Sequence, residues 1–120
     1  MSDQERPDHI VSLVEAALDE LKAQEVQVLD VSKLTSITDR MIIASGRSNR
    51  HVKSMAEDVV RKAKEHNIDV LGSEGEQDGE WVLIDLAFVV VHLMLPRVRD
   101  FYKLEKLWGL EGGSEPVAAT

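Results

Sequence analysis

The stretch from Trp81 to Leu95, WVLIDLAFVVVHLML, constrains this chain more than any other segment. Strand side chains alternate between faces. In WVLIDL, Trp81, Leu83 and Asp85 point one way, and Val82, Ile84 and Leu86 the other. In FVVVHLML, Phe88, Val90, His92 and Met94 share a face, and Val89, Val91, Leu93 and Leu95 share the opposite one. A tight turn at Leu86–Ala87 would pair Ile84 with Val89 and Val82 with Val91. It would also set Trp81 opposite His92 and Leu83 opposite Val90. Both faces of the hairpin are then apolar, whereas an antiparallel pair ordinarily keeps one face polar and wet. The Val/Ile/Leu face suits helices of the same chain. The face with Trp81, Leu83, Val90 and Met94 needs another cover: a third layer of helix, a partner protein or a second copy.

The remaining pattern supplies those helices. Residues 8–22 carry Ile10, Val14, Ala17, Leu18 and Leu21 at helical spacing, and Pro7 suits a helix start. VQVLDV, residues 26–31, reads as a strand, and RMIIAS, residues 40–45, as a short buried one. Residues 49–66 give the clearest helix, with Val52, Met55, Ala56, Val59, Val60 and Ala63 on one stripe. Ser48 is its predicted N-cap, and Lys62, Lys64 and His66 suit the negative end of its dipole. A short strand is expected near Asp69–Leu71, then the acidic loop SEGEQDGE, strands at 81–86 and 88–95, and a short helix near 98–107. The order α-β-β-α-β-β-β-α predicts a single α/β (α+β) domain over residues 1–109, with a mixed five-stranded sheet and helices packed on it. Residues 110–120, with Gly112, Gly113 and Pro116, read as a disordered tail.

Composition narrows the function. A chain of 120 residues fits one domain. No apolar run is long enough for a membrane span, and MSDQERPDHI has neither the basic start nor the apolar stretch of a signal peptide. With no cysteine, thiol catalysis, disulfides and thiolate metal sites are excluded. A cytoplasmic protein is expected. The net charge of −8 argues against direct nucleic-acid binding, whose affinity comes from cations on phosphates, and favours a basic protein partner.

All five aromatic residues lie between Trp81 and Trp108. Aromatic side chains dominate interface hot spots. Phe101 and Leu104 suit a core stripe of the last helix. Trp81, Tyr102 and Trp108 are the interface candidates.

Chemistry finds little support. GRSNRHV, residues 46–52, puts Arg47, Ser48 and Arg50 at a helix start that is able to hold an anion, although a solvated terminus is the simpler reading. It is neither a P-loop nor a dinucleotide fingerprint. A nucleotidyltransferase needs paired strand carboxylates for magnesium, but Asp30 and Asp85 stand singly. His9, His51, His66 and His92 show no zinc spacing. The loop from Glu74 to Gly79 looks like part of a calcium loop, yet a strand begins at Trp81 where a helix is required. Its carboxylates, Glu74, Glu76, Asp78 and Glu80, are placed to steer a basic partner. No catalytic residue, metal or cofactor is assigned.

LDVSKLTSITDRMIIASGRSNRHV, WVLIDLAFVVVHLM and FYKLEKLWG, in this order and spacing, resemble the Iojap family of ribosomal silencing factors. The resemblance runs from about Ile10 to Gly109. It implies a nucleotidyltransferase-like fold without catalytic carboxylates. It implies a translational repressor that binds large-subunit ribosomal protein L-fourteen and sterically blocks joining of the small subunit when nutrients are short. It maps the partner-binding surface onto Trp81, Leu83, Val90, His92 and Met94, and onto Tyr102, Leu104, Leu107 and Trp108. One departure stands out. The family turn usually reads Asp-Leu/Tyr-Gly-Asp, whereas here it is Asp85-Leu86-Ala87-Phe88, without the glycine that a positive φ favours. Two other readings remain: a degenerate enzyme that still binds a nucleotide at Gly46–Arg50, and a homodimer formed through the apolar face.

Overall fold

In a computed structural model, which describes residues 7–36 and 38–102, the chain runs α1 (Pro7–Glu20), β1 (Gln24–Asp30), β2 (Arg40–Ser45), α2 (Asn49–Glu65), β3 (Gly72–Glu74), β4 (Trp81–Asp85), β5 (Val89–Met94) and α3 (Pro96–Tyr102). The predicted order of elements is the observed one, and the class is α+β. The expected tail, residues 110–120, and the end of the expected last helix, residues 103–107, lie outside the described residues.

Periodicity makes the helices. Ile10, Val14, Ala17 and Leu18 of α1 are buried, as are Val52, Met55, Ala56, Val59 and Ala63 of α2. Ser48 caps α2, its side-chain oxygen accepting from the His51 amide at 3.1 Å. Helix α1 stops two residues short of the expected end. Lys22 turns left-handed at φ 59°, and its amide and that of Ala23 bond back to Asp19 and Leu18.

The two long helices lie side by side. Lys62 pairs with Glu20 at 2.6 Å. The buried His51 ring bridges the helices: Nδ1 accepts from the Arg47 amide at 2.8 Å, so Nε2 donates to the Leu21 carbonyl at 2.7 Å. Both helices therefore cover one face of the sheet, over Ile42, Ala44, Val82, Ile84, Val91 and Leu93, each fully buried. They do not divide between the faces.

The sheet order is β1-β2-β5-β4-β3. Strands β2 and β5 pair in parallel, and the other pairs are antiparallel. The last strand in sequence thus occupies the middle of the sheet, which explains the continuous apolar run of β5.

Two expectations are corrected. The hairpin loop is Ala87–Phe88, not Leu86–Ala87, with the Leu86 amide bonded to the Val89 carbonyl at 2.9 Å. The register is accordingly Ile84 with Val91, Val82 with Leu93, Leu83 with His92 and Trp81 with Met94. Alternation fixes faces but not register, so the face sets survive this slip while the partners change. The short strand expected at 69–71 is β3, at Gly72–Glu74. Leu71 only donates to the Asp85 carbonyl at the end of that ladder, and it is 64% exposed. Its apolar side chain suggested a strand that the edge of the sheet does not need.

Gly75 ends β3 at φ 90°, and a Cβ there would lie 2.0 Å from the Trp81 carbonyl oxygen. Only glycine brings the acidic loop this close to the start of β4.

Candidate functional site

The second face of the sheet holds the candidate site. Register places Trp81, Leu83 and Asp85 of β4 beside Val90, His92 and Met94 of β5. It continues the surface through Met41, Ile43 and Ser45 of β2 to Leu29 and Gln27 of β1. Trp81, Leu83, Val90 and Leu29 are half-buried, whereas Met41, Ile43, His92 and Met94 are buried. The expected contact set therefore divides. Trp81, Leu83 and Val90 present surface, whereas His92 and Met94, on the same face, are buried. Alternation put these residues together without distinguishing the sheet centre from its rim. Leu29, Met41 and Ile43 were missed, because assigning their face requires the β2–β5 register, which sequence does not give.

Trp81 and His92 form the most specific contact of this face. They are diagonal neighbours across the strands, with ring centroids 5.9 Å apart and planes inclined at 50°. The indole Nε1–H donates to His92 Nδ1 at 3.0 Å. Accepting there requires a neutral imidazole with its proton on Nε2. Burial enforces this, pushing the His92 pKa from 6.5 to about 4.

Helix α3 closes one end of the face. Arg99, buried, donates to the Glu25 carbonyl at 2.6 Å and to Ser45 Oγ at 3.3 Å. Tyr102 is the last residue of α3, and its side chain lies outside the described residues, as do Leu104, Leu107 and Trp108.

The acidic loop borders the same strands. Glu80 pairs with Arg97 at 3.4 Å, and Glu76 accepts from Ser73. Glu74 and Asp78 are exposed. Strand β4 starts at Trp81, where a calcium loop would continue into a helix.

The other candidates are scattered. Arg47, Ser48 and Arg50 are exposed at the start of α2, but the Ser48 hydroxyl is engaged as the cap. Asp30 and Asp85 fall on opposite faces of the sheet. Each serves its own turn. Asp30 accepts from the Ser32 amide and hydroxyl at 3.0 and 2.6 Å, and Asp85 accepts from the Ala87 amide at 2.8 Å. That geometry cannot clamp one magnesium between them. Among the described residues no group of three or more His, Asp or Glu side chains converges as a metal site, and no helix is long and apolar enough to cross a membrane.

The Ala87–Phe88 loop takes a positive φ at its first residue. Ala87 adopts φ 70° without glycine, and Phe88 stands 36% exposed at the tip.

Comparison with known proteins agrees with this architecture. Residues 3–118 match the family model described as "Ribosomal silencing factor during starvation". The chain is 51% identical over 110 residues to the ribosomal silencing factor RsfS of Chromobacterium violaceum, covering 92% of this chain and 90% of that one. A crystal structure of a protein from the same organism superposes with a TM-score of 0.86 at 49% identity, covering 96% of each chain. The mouse protein named "Mitochondrial assembly of ribosomal large subunit protein 1" is 31% identical over 119 residues, covering 92% of this chain and 52% of its own length. With the fold and nearly the full length matched, this chain belongs to the RsfS family of ribosomal silencing factors.

Proposed function

We propose that this protein is a cytoplasmic translational repressor that docks on the large ribosomal subunit. Its contact there is ribosomal protein L-fourteen, and the bound factor keeps the small subunit from joining, which slows translation when nutrients are limiting. One observation carries the reading: both long helices cover a single face of the sheet, leaving half-buried Trp81, Leu83 and Val90 on the other. An apolar sheet face rimmed by polar residues suits a protein partner. The neighbouring carboxylates Glu74 and Asp78, with a net charge of −8 for the chain, favour a basic one. The ribosome is favoured by the family, and its large subunit by the name of the mouse relative. The proposed surface continues onto Tyr102, Leu104, Leu107 and Trp108 of the last segment.

The full chain is mixed with isolated large subunits and sedimented, and joining is followed by light scattering after small subunits are added. The protein is expected to cosediment and to reduce joining. Trp81→Ala is expected to weaken binding by about 2 kcal/mol or more, as an aromatic hot spot does. Unchanged joining at saturating protein would overturn the repressor role. Unchanged affinity of a folded Trp81→Ala protein would remove this face from the contact.

A further inference from the structure

His92 occupies the centre of the candidate face yet is only 8% exposed, so a partner resting on the face meets little of it. What it does reach is Trp81, through the 3.0 Å bond from the indole Nε1–H to Nδ1. A tryptophan at the rim of a sheet has two χ angles to fix before its large surface fits a partner. Ordering such a side chain during association costs affinity, and fixing it beforehand removes the cost. The donor–acceptor sense is also selective. Nδ1 is able to accept only while the ring is neutral with its proton on Nε2.

We infer that His92 is a positioning residue for docking, holding the Trp81 indole in its binding orientation through Nδ1 instead of contacting the partner itself. This deepens the proposed function and rests on it. The side chains around the ring fit the role. Leu83 lies directly across on β4 and Ile43 on β2, both apolar, and Trp81 covers one side. Among the described residues, the charged groups turned to this face are Asp85 on β4, Glu74 on β3 and Arg99 on α3. Asp85 is bonded to the Ala87 amide, Glu74 is exposed beside Leu83, and Arg99 is bonded to Ser45 and Glu25. The ring is therefore kept neutral by its apolar surroundings, and the acceptor at Nδ1 is available at neutral pH.

Asparagine and leucine separate the acceptor from the volume. The asparagine amide oxygen takes the place of Nδ1, whereas leucine fills space without accepting. Affinity for isolated large subunits is measured for wild type, His92→Leu, His92→Asn, Trp81→Phe and the double variant His92→Leu/Trp81→Phe. Each is checked for a thermal transition near that of wild type. His92→Leu is expected to bind about tenfold more weakly, the scale of ordering one large side chain, and His92→Asn to recover at least half of that loss on a logarithmic scale. In the Trp81→Phe background, which has no indole N–H, His92→Leu is expected to add less than about twofold, the sign of coupled residues. Nitrogen-15 spectra of the free protein give a second readout: His92 Nδ1 is expected to be unprotonated, and the Trp81 indole proton is expected to shift in His92→Leu but not collapse in His92→Asn. Additive losses, or equal losses for leucine and asparagine, would overturn the positioning role while leaving docking intact. A protonated Nδ1 in the wild-type protein would overturn it without any ribosome present. A wild-type protein that does not bind large subunits would overturn the functional reading first, and this inference with it.

Discussion

Arg99 donates to the backbone carbonyl of Glu25, 74 positions earlier in the chain, at 2.6 Å. The bond ties α3 to the irregular start of β1, where Glu25 takes φ 48° and the register to β2 shifts between Gln24 and Gln27. A bulged edge strand has an orphan carbonyl to satisfy, and a buried guanidinium satisfies it. Arg99→Ala leaves that carbonyl and Ser45 Oγ without this donor. The variant is expected to lose about 2 kcal/mol, the scale of a buried hydrogen bond from a charged group. Urea unfolding measures it. A loss below half of that would place the anchoring of α3 elsewhere.

The Ala87 turn gives a prediction of opposite sign. Its φ of 70° lies in the left-handed region, which costs a residue with a Cβ roughly 1–2 kcal/mol. Glycine relieves that cost and gives part of it back through the freer unfolded chain. Ala87→Gly is therefore expected to stabilise the protein by about 0.5–1 kcal/mol in thermal or urea unfolding. A destabilised variant would show that the methyl group packs against Leu86 or Phe88 to more effect than the backbone strain.

Acid weakens the fold through His92. Its pKa falls from 6.5 to about 4 on folding, so between those values the unfolded chain binds the proton and the native protein does not. The stability contributed by the neutral ring is complete above pH 6.5 and is lost as pH falls toward 4, by about 1.4 kcal/mol per unit. From pH 6.5 to 5 the His92 contribution is about 2 kcal/mol. Comparing wild type with His92→Asn by urea unfolding at pH 7 and pH 5 isolates it. Equal pH slopes for the two proteins would assign the acid sensitivity to other groups.

Gly75 links the acidic loop to the candidate face. An alanine Cβ there meets the Trp81 carbonyl at 2.0 Å, in a backbone conformation of φ 90°. Because the obstacle is backbone, Gly75→Ala is expected to cost roughly 2 kcal/mol or more and to displace the first residue of β4. The Trp81 indole signal in nitrogen-15 spectra is the sensitive readout. An unmoved signal in a stable variant would show that the loop yields instead of the strand.

Local chemistry decided how much of this fold was legible in sequence. Helix α2 was placed within a residue at its end, because Ser48 caps it and six apolar residues keep a 3.6-residue period over its length. The division of the 81–94 hairpin into faces was legible for the same reason, strand alternation. The loop position was not, since Leu86–Ala87 and Ala87–Phe88 give identical faces. That Trp81, Leu83 and Val90 share one sheet face was legible. The burial of His92 and Met94 was not, because alternation gives the face of a residue and not what surrounds it; here β5 lies between β2 and β4, a long-range fact that no local pattern encodes. Leu104, Leu107 and Trp108, expected on the same surface, lie outside the described residues.

The central place of β5 also sets a timetable for synthesis. Strands β2 and β4 are not neighbours in the sheet, and each finds its inner partner only in β5. While a ribosome is still making the chain, α1, β1, β2 and α2 are able to gather into a half-built layer, but its apolar edge stays open until Val89–Met94 leaves the exit tunnel. The strand that joins the two halves of the sheet also carries His92 and Val90, so the sheet and the β4–β5 part of the candidate face come together in the same late step, and a nascent chain halted before Val89 has neither.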